Sequence, residues 1–318
     1  MTADELKALL QALYDDRNNI GVCIYALIKD ETNHGPHKLD IEAEAENGLK
    51  ELFIQSLREK ISNKEGLCVL NLSAADERAN AIYIYDLEIP EELAVLDTIA
   101  TRDDHPLLNL NDYSLSLINA LIIEIGNNRH QVVLYKTMAP VNIFVRSNFF
   151  SISHESRLKM ISEEFLRISA AFQMMRIGGE LLVLNLEALE KSFGFHDVIK
   201  REALQGIAAI QSAGFLTNPV ILQELVEEVK YARRLTKVAK SSPVIKAGIT
   251  GKALVNFCDT HSATKGRMRF NREKDQITLD TKVSKDLFFK ILMDDLLTSE
   301  LTKLHYASVA KDAIPTEA

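Results

Sequence analysis

The stretch SLINALIIEIGNNRHQVVLYK, Ser116 to Lys136, decides the fold. Two runs rich in Ile, Leu and Val flank Gly126-Asn127-Asn128, and Gly and Asn tolerate the positive φ that a tight turn requires. The stretch therefore predicts a β-hairpin, and with it an antiparallel sheet. Upstream, GVCIYALI (Gly21 to Ile28) reads as a strand. Lys38 to Ala43 alternates and reads as its partner across the turn-rich Asp30 to Pro36. Leu67 to Leu72, Ala81 to Leu87 and Phe149 to Ser153 read as further strands. A second hairpin spans Ile168 to Asn185 through Gly178-Gly179. Between them lie helical patterns at Leu6 to Leu13, Ala45 to Ile61 and Pro90 to Ala100.

Downstream of Asn185 helices dominate. The spacing predicts them over Leu186 to Phe193, Asp197 to Ala213, Pro219 to Lys240 and Gly251 to His261. Arg267 to Phe270 and Gln276 to Thr281 read as a hairpin. Ser284 to Leu297 reads as a helix capped by Ser284, and Leu304 to Val309 as a last strand. The expected fold is α/β in the α+β sense, with mixed, largely antiparallel strands and a helix-rich C-terminal half. Its expected division is an acidic α/β domain over residues 1–140 and a helix-rich domain over 141–318.

Of the 318 residues, 47% are hydrophobic and 26% charged, the balance of a globular chain. No run approaches the roughly 18 apolar residues of a membrane span, and Met1 to Leu13 lacks the basic-then-apolar order of a signal peptide. Cys23, Cys68 and Cys258 are far apart and odd in number, which suggests neither a disulfide framework nor a zinc site. Buried, inert thiols in a cytoplasmic protein are the expectation.

The net charge of −8 is unevenly spread. Lys230 to Lys274 holds twelve Lys or Arg and two acids, a local +10 in a chain that is otherwise −18. Such asymmetry suggests a polyanion-binding surface. At helical spacing, Lys230, Arg233, Arg234, Lys237 and Lys240 fall on one side of the 219–240 helix. Strand alternation puts Arg267 and Arg269 on one face, with Arg272 in the turn beyond. Phosphates repeat along a backbone, so an array of cations suits them better than one strong site. Aromatic residues are sparse here, which favours backbone contact over base stacking. DNA, contacted without much regard to sequence, is the expected partner.

Three stretches together resemble a known family. They are VVLYKTMAPVNIFVRSNFF (Val132 to Phe150), GGELLVLNLEALEKSFGFHDVI (Gly178 to Ile199) and FFKILMDDLLTSELTKLHY (Phe288 to Tyr306). In that order they resemble the bacterial KwaB family, the soluble component of Kiwa anti-phage defence. The resemblance implies a defence protein that binds invading DNA beside a membrane-embedded partner, KwaA, and that is recruited to the inner membrane by it. It carries no catalytic motif. A homodimer or higher homo-oligomer is expected by analogy alone.

Other motifs carry less. Gly248-Ile-Thr-Gly251-Lys252-Ala253 looks like part of a phosphate loop, but Lys246 stands where its first Gly belongs and Ala253 where a hydroxyl would hold magnesium. A metal-dependent nuclease needs carboxylates beside a lysine; Asp259, Asp280 and Lys282 are the one arrangement of that kind. Asp294 and Asp295 are helix neighbours pointing different ways. His34 and His37 share a turn, but two ligands do not make a metal site. Ser153-His154-Glu155 has triad letters but not triad spacing. The expectation is therefore no cofactor, no metal, no catalytic residue and no small-molecule substrate. The alternatives are a nuclease, or a scaffold that meets an acidic partner through the basic segment.

Overall fold

The computed structural model describes residues 1–29, 35–73, 80–101, 104–109, 111, 113–144, 149–152, 158–161, 164–190 and 193–308. His34 and Ser153-His154-Glu155 lie outside them. The chain forms two compact units. The first holds Met1–Leu70, Asn80–Tyr85 and Ile89–Phe193; the second holds Asn71–Ala79, Asp86–Glu88 and Gly194–Ala318.

The first unit runs α1 (Ala3–Asp15), β1 (Gly21–Ile28), β2 (Pro36–Lys38), α2 (Ala43–Leu57), β3 (Cys68–Asn71), β4 (Ala81–Ile84), α3 (Glu91–Thr101), β5 (Ile118–Gly126), β6 (Gln131–Thr137), β7 (Ile143–Phe144), β8 (Phe149–Ile152), β9 (Leu158–Ile161), β10 (Phe165–Leu166), β11 (Met174–Ile177), β12 (Glu180–Val183) and α4 (Leu186–Glu190). Eight strands form one sheet in the order β2-β1-β5-β6-β11-β12-β4-β3. Neighbours from β2 through β4 pair antiparallel. The Ser116–Lys136 hairpin is its centre: Gly126 faces Gln131, and the Asn127 side chain accepts from the amides of Arg129 and His130. Gly126 has φ +151°, and a Cβ there would stand 2.2 Å from the His130 carbonyl oxygen. The turn therefore needs glycine.

Thr2 and Glu5 close a capping box at the start of α1. Leu6, Leu10, Leu13 and Tyr14 of α1, and Phe53, Ile54 and Leu57 of α2, bury against Ile24, Leu121, Ile123, Leu134 and Met175 of the sheet. Each fully buried Leu or Ile contributes roughly 2 kcal/mol of transfer free energy. α3 packs on β5 and β6. Both faces of β5 are thus covered, which is why Ala120 to Ile123 is a continuous buried run rather than an alternating one. The β11–β12 hairpin pairs with β6 and β4, within the first unit's Ile89–Phe193 and Asn80–Tyr85.

The second unit runs α5 (Phe195–Ala213), α6 (Ile221–Val226), α7 (Val229–Ser241), α8 (Pro243–Lys246), α9 (Gly251–Thr260), β13 (Arg269–Asn271), β14 (Gln276–Thr278), α10 (Lys282–Leu292), β15 (Leu296–Thr298) and β16 (His305–Ala307). It is the helix-rich half that the sequence patterns predict, but several details of the chain differ. β2 ends at Lys38 rather than Ala43, because the Ala/Glu/Leu-rich sequence from Ala43 starts α2. The 219–240 helix is two helices: Glu228 is extended (ψ 113°) and opens α7, so that Leu222, Leu225 and Val226 of α6 and Tyr231, Leu235 and Val238 of α7 bury as separate sets. α10 starts at Lys282 under a Thr281 cap; Ser284 sits at N3 and returns the bond to the Thr281 amide. α10 ends at Leu292, where Asp294 takes a positive φ, and Leu296–Thr298 turns back as a strand. Asp294 and Asp295 therefore lie in a turn after the helix.

Candidate nucleic-acid interface

All eight cations of the expected array belong to the second unit. α7 buries Tyr231, Ala232, Leu235, Thr236 and Val238, against α5 above all. Amphipathic spacing then leaves Lys230, Arg233, Arg234, Lys237 and Lys240 on the outer flanks of α7. These flanks are not bare. Lys230 and Arg234 both donate to Asp286 Oδ1 of α10, at 2.8 and 2.6 Å. Lys240 lies 3.3 Å from Glu202 of α5. Arg233 and Lys237 are half-buried and interact with neighbouring groups as well. Partial burial would raise the Asp286 pKa, but the hydrogen bonds from Lys230 and Arg234 outweigh it and hold the carboxyl below its usual range. The same carboxylate, after burial, pushes the Tyr231 hydroxyl up.

The second part of the array lies around the β13–β14 hairpin. Arg267 is not on a strand face with Arg269: β13 begins at Arg269, and Arg267 belongs to the turn after α9, its amide bonded to the Thr264 carbonyl. That turn forms because the buried Thr264 hydroxyl donates back to Cys258 and His261 carbonyls at the end of α9. Arg269 pairs with Asp280 and Arg272 with Asp259, each at 2.8 Å. Both carboxylates of the nuclease alternative are therefore engaged by arginines of the hairpin, and Lys282 is an exposed residue at the start of α10. Among the described residues no group of three or more His, Cys, Asp or Glu could hold a metal ion.

Sequence counting alone does not single out the cations that the fold leaves unpaired. Lys246, Lys252, Lys265, Arg267 and Lys274 are exposed, and none of them has an ion pair among the described residues. They bracket α9 and the hairpin. Gly251 brings these parts together: a Cβ there would stand 2.4 Å from the Asp275 carbonyl oxygen, so the start of α9 rests directly on the hairpin turn. The Thr250 hydroxyl caps α9 by accepting from the Ala253 amide, and Gly248 makes the turn before it at φ +62°. Gly248 to Ala253 is thus a helix-entry turn. Exposed ion pairs contribute roughly 0–1 kcal/mol each, so Arg269 and Arg272 can exchange their carboxylates for other anions at small cost. Residues 194–318 carry 19 Lys or Arg against 15 Asp or Glu, a net +4, whereas residues 1–193 are −12.

Of the thiols, Cys258 is buried, and Cys23 and Cys68 are half-buried. Burial pushes the Cys258 pKa up to about 12, so it is inert as a nucleophile at neutral pH. Among the described residues no helix is long and apolar enough to cross a membrane.

Fold and surface together define an α/β protein with a largely antiparallel sheet and a cation-bearing helical second unit. Residues 115–302 match the family model described as Kiwa protein KwaB-like. Along 99% of its length the chain is 29% identical to the Kiwa protein KwaB of Escherichia coli O55:H7 (strain RM12579 / EPEC), covering 99% of that protein. No solved structure matches the chain. The chain belongs to the KwaB-like family and is a component of the Kiwa defence system.

Proposed function

We propose that this Kiwa component contacts the phosphate backbone of DNA through the second unit, and that it does so without cleaving it. The observation that carries the reading is the cluster of exposed, unpaired cations around α9 and the β13–β14 hairpin, inside a segment of +10 in a chain of −8. Arg267 leads the contact, with Lys246, Lys252, Lys265 and Lys274 beside it. Arg269 and Arg272 join by exchanging Asp280 and Asp259 for phosphates. Lys230, Arg233, Arg234, Lys237 and Lys240 form a flank whose charge is partly spent within the fold, and they act mainly at longer range. The acidic remainder repels DNA elsewhere and restricts it to this face. In this reading the protein is cytoplasmic, assembles as a homodimer or larger oligomer, and is held at the inner membrane by a KwaA partner.

The test is anisotropy titration of duplex DNA across a salt series, with and without magnesium. Seven engaged cations give a slope of log affinity against log salt of about −6, since each phosphate contact adds about 0.9. Arg267→Glu with Lys252→Glu should weaken binding to all sequences alike and make the slope shallower. Arg233→Glu with Lys237→Glu should do so less. A folded 252/267 variant that binds as tightly as the parent at low salt refutes the proposal. Magnesium-dependent fragmentation lost in a folded Asp280→Ala protein would establish the nuclease instead.

A further inference from the structure

In the first unit, well away in sequence from the basic segment, the fold brings two lysines to one short segment, 169–172, and among the described residues neither ammonium has an ion pair. Lys136 is the last buried residue of β6, 2% exposed. It follows Val132 and Leu134 on the face that meets α1 and α2. Its ammonium donates to the Ser169 hydroxyl (2.8 Å) and the Ala171 carbonyl (2.9 Å). Both acceptors are neutral. Burying an ammonium without a counter-charge is expensive, and an ammonium has three donors, of which two are used among the described residues.

Lys60 reaches the same short segment at Phe172. It lies in a π-helical turn, Arg58–Ser62, that continues α2. Such turns are rare and recur at functional sites. Ser56, one turn before it, donates to the Ala170 carbonyl (2.8 Å), and the Lys60 ammonium stands 4.2 Å from the centre of the Phe172 ring. Lys60 is half-buried, and among the described residues its ammonium has no hydrogen bond or ion pair. Glu59, its neighbour in sequence, is exposed and takes a hydrogen bond from Gln55 along the outer face of α2 (2.9 Å). Ala171 is exposed and Ser169 half-exposed, so the segment that carries both lysines is open to solvent.

We propose that Lys60, Lys136 and the Ser169 hydroxyl form a binding site for a small phosphate-type oxyanion. Among the described residues donors exceed acceptors there: three N–H groups on Lys60, the third on Lys136, and the Ser169 O–H, which is left without a partner once its oxygen accepts from Lys136. A tetrahedral anion with several acceptor oxygens satisfies all three groups and supplies the missing negative charge. Burial holds both lysines below the usual amine range; the Glu59 charge offsets this in part at Lys60, and Lys60 lowers Lys136 further. A bound anion reverses that strain. The site is independent of the DNA-contacting reading.

The experiment uses the full chain and inorganic phosphate as probe, followed by calorimetry and by thermal midpoint at constant ionic strength with chloride as the balancing salt. The midpoint should rise with phosphate concentration as linkage requires. A phosphate monoester, glycerol phosphate, distinguishes the two sources of the group: equal affinity means the site takes the phosphoryl end of a larger ligand, and weaker affinity means free phosphate. Lys60→Ala removes one charge-assisted partner at a half-exposed position, so the chain should fold, and phosphate affinity should fall about tenfold. Lys136→Met should abolish binding. Arg267→Glu with Lys252→Glu should leave the phosphate effect intact, which separates this site from the basic surface. A midpoint no more responsive to phosphate than to chloride, or a response unchanged in Lys60→Ala, overturns the proposal.

Discussion

Gly206 of α5 lies against the Leu235 carbonyl of α7 so closely that a Cβ on Gly206 would stand 2.0 Å from that oxygen. No side chain fits, and the two helix backbones define the scaffold from which the α7 cations project. Gly206→Ala cannot be absorbed by a flexible side chain, because the neighbouring atom is backbone. Forcing the helices apart should cost about 2 kcal/mol or more, although alanine favours helix by nearly 1 kcal/mol over glycine. The urea midpoint of the variant should fall accordingly. A variant as stable as the parent would show that the helices are not in this contact.

Asp286 receives both Lys230 and Arg234 on one carboxylate oxygen. Asp286→Asn removes the charge and keeps the shape. Because the group is about one third exposed on its side chain, the stability loss should be modest, about 1 kcal/mol. Freed from their partner, Lys230 and Arg234 add positive field to the second unit. DNA affinity at low salt should therefore rise a few-fold by anisotropy. Unchanged or weaker binding in a folded variant would remove α7 from the interface.

Cys258 is fully buried, and its thiol is pushed up to about 12 by that burial. In the unfolded chain the thiol ionises near its ordinary value of about 8.5. The folded state thus holds its proton more tightly, so the contribution to stability is complete below that value and is lost as pH rises toward 12. The tyrosines Tyr14, Tyr135 and Tyr231 are also raised by burial and act in the same direction, so the difference between parent and Cys258→Ala isolates the thiol. The variant should be less stable at pH 7 and should lose less between pH 8 and pH 10. Parallel urea midpoints across that range would contradict the burial argument.

His261 stacks on Phe257 at the end of α9, and its ring centre lies 4.2 Å from that of His305 in β16. Burial, then the neighbouring His305, lowers the His261 pKa. The unfolded imidazole takes up its proton near the ordinary value of about 6.5. Stability is therefore full above that value and declines as pH falls below it. His305→Ala should move the His261 titration up, read from its ring-proton shifts by NMR. A titration that does not move would show that the two rings do not interact in solution.

Local sequence determined much of this protein, where local chemistry is decisive. Gly126-Asn127-Asn128 dictates a turn because Gly126 takes a positive φ and the Asn127 side chain holds the Arg129 and His130 amides, and the apolar runs on either side then pair in one register. The spacing of Leu6, Leu10 and Leu13 commits α1 to a buried stripe whatever it packs on. The KwaB family was legible in Val132 to Phe150, Gly178 to Ile199 and Phe288 to Tyr306, which are framework of that kind. The breadth of the basic segment was legible too, because charge is a property of composition.

Which of those charges remain free was decided only in three dimensions. Asp286 is 52 residues from Arg234, Asp280 is eleven from Arg269, and Glu202 is 38 from Lys240. No periodicity links them, yet helix packing and the hairpin turn bring each acid to its base. The break at Glu228 and the move of Arg267 off the strand have the same origin. Propensity favours a long helix and a long strand, but burying two separate apolar sets and closing the Thr264 turn outweigh it. Lys136 makes the point most sharply. In sequence it is one lysine after a tyrosine; it meets Ser169 and Ala171 only because the sheet and the segment before β11 converge. Side-chain patterns report the element to which a residue belongs. The partner across the fold, which sets whether a charge is spent or available, follows from the free energy of the whole packed chain.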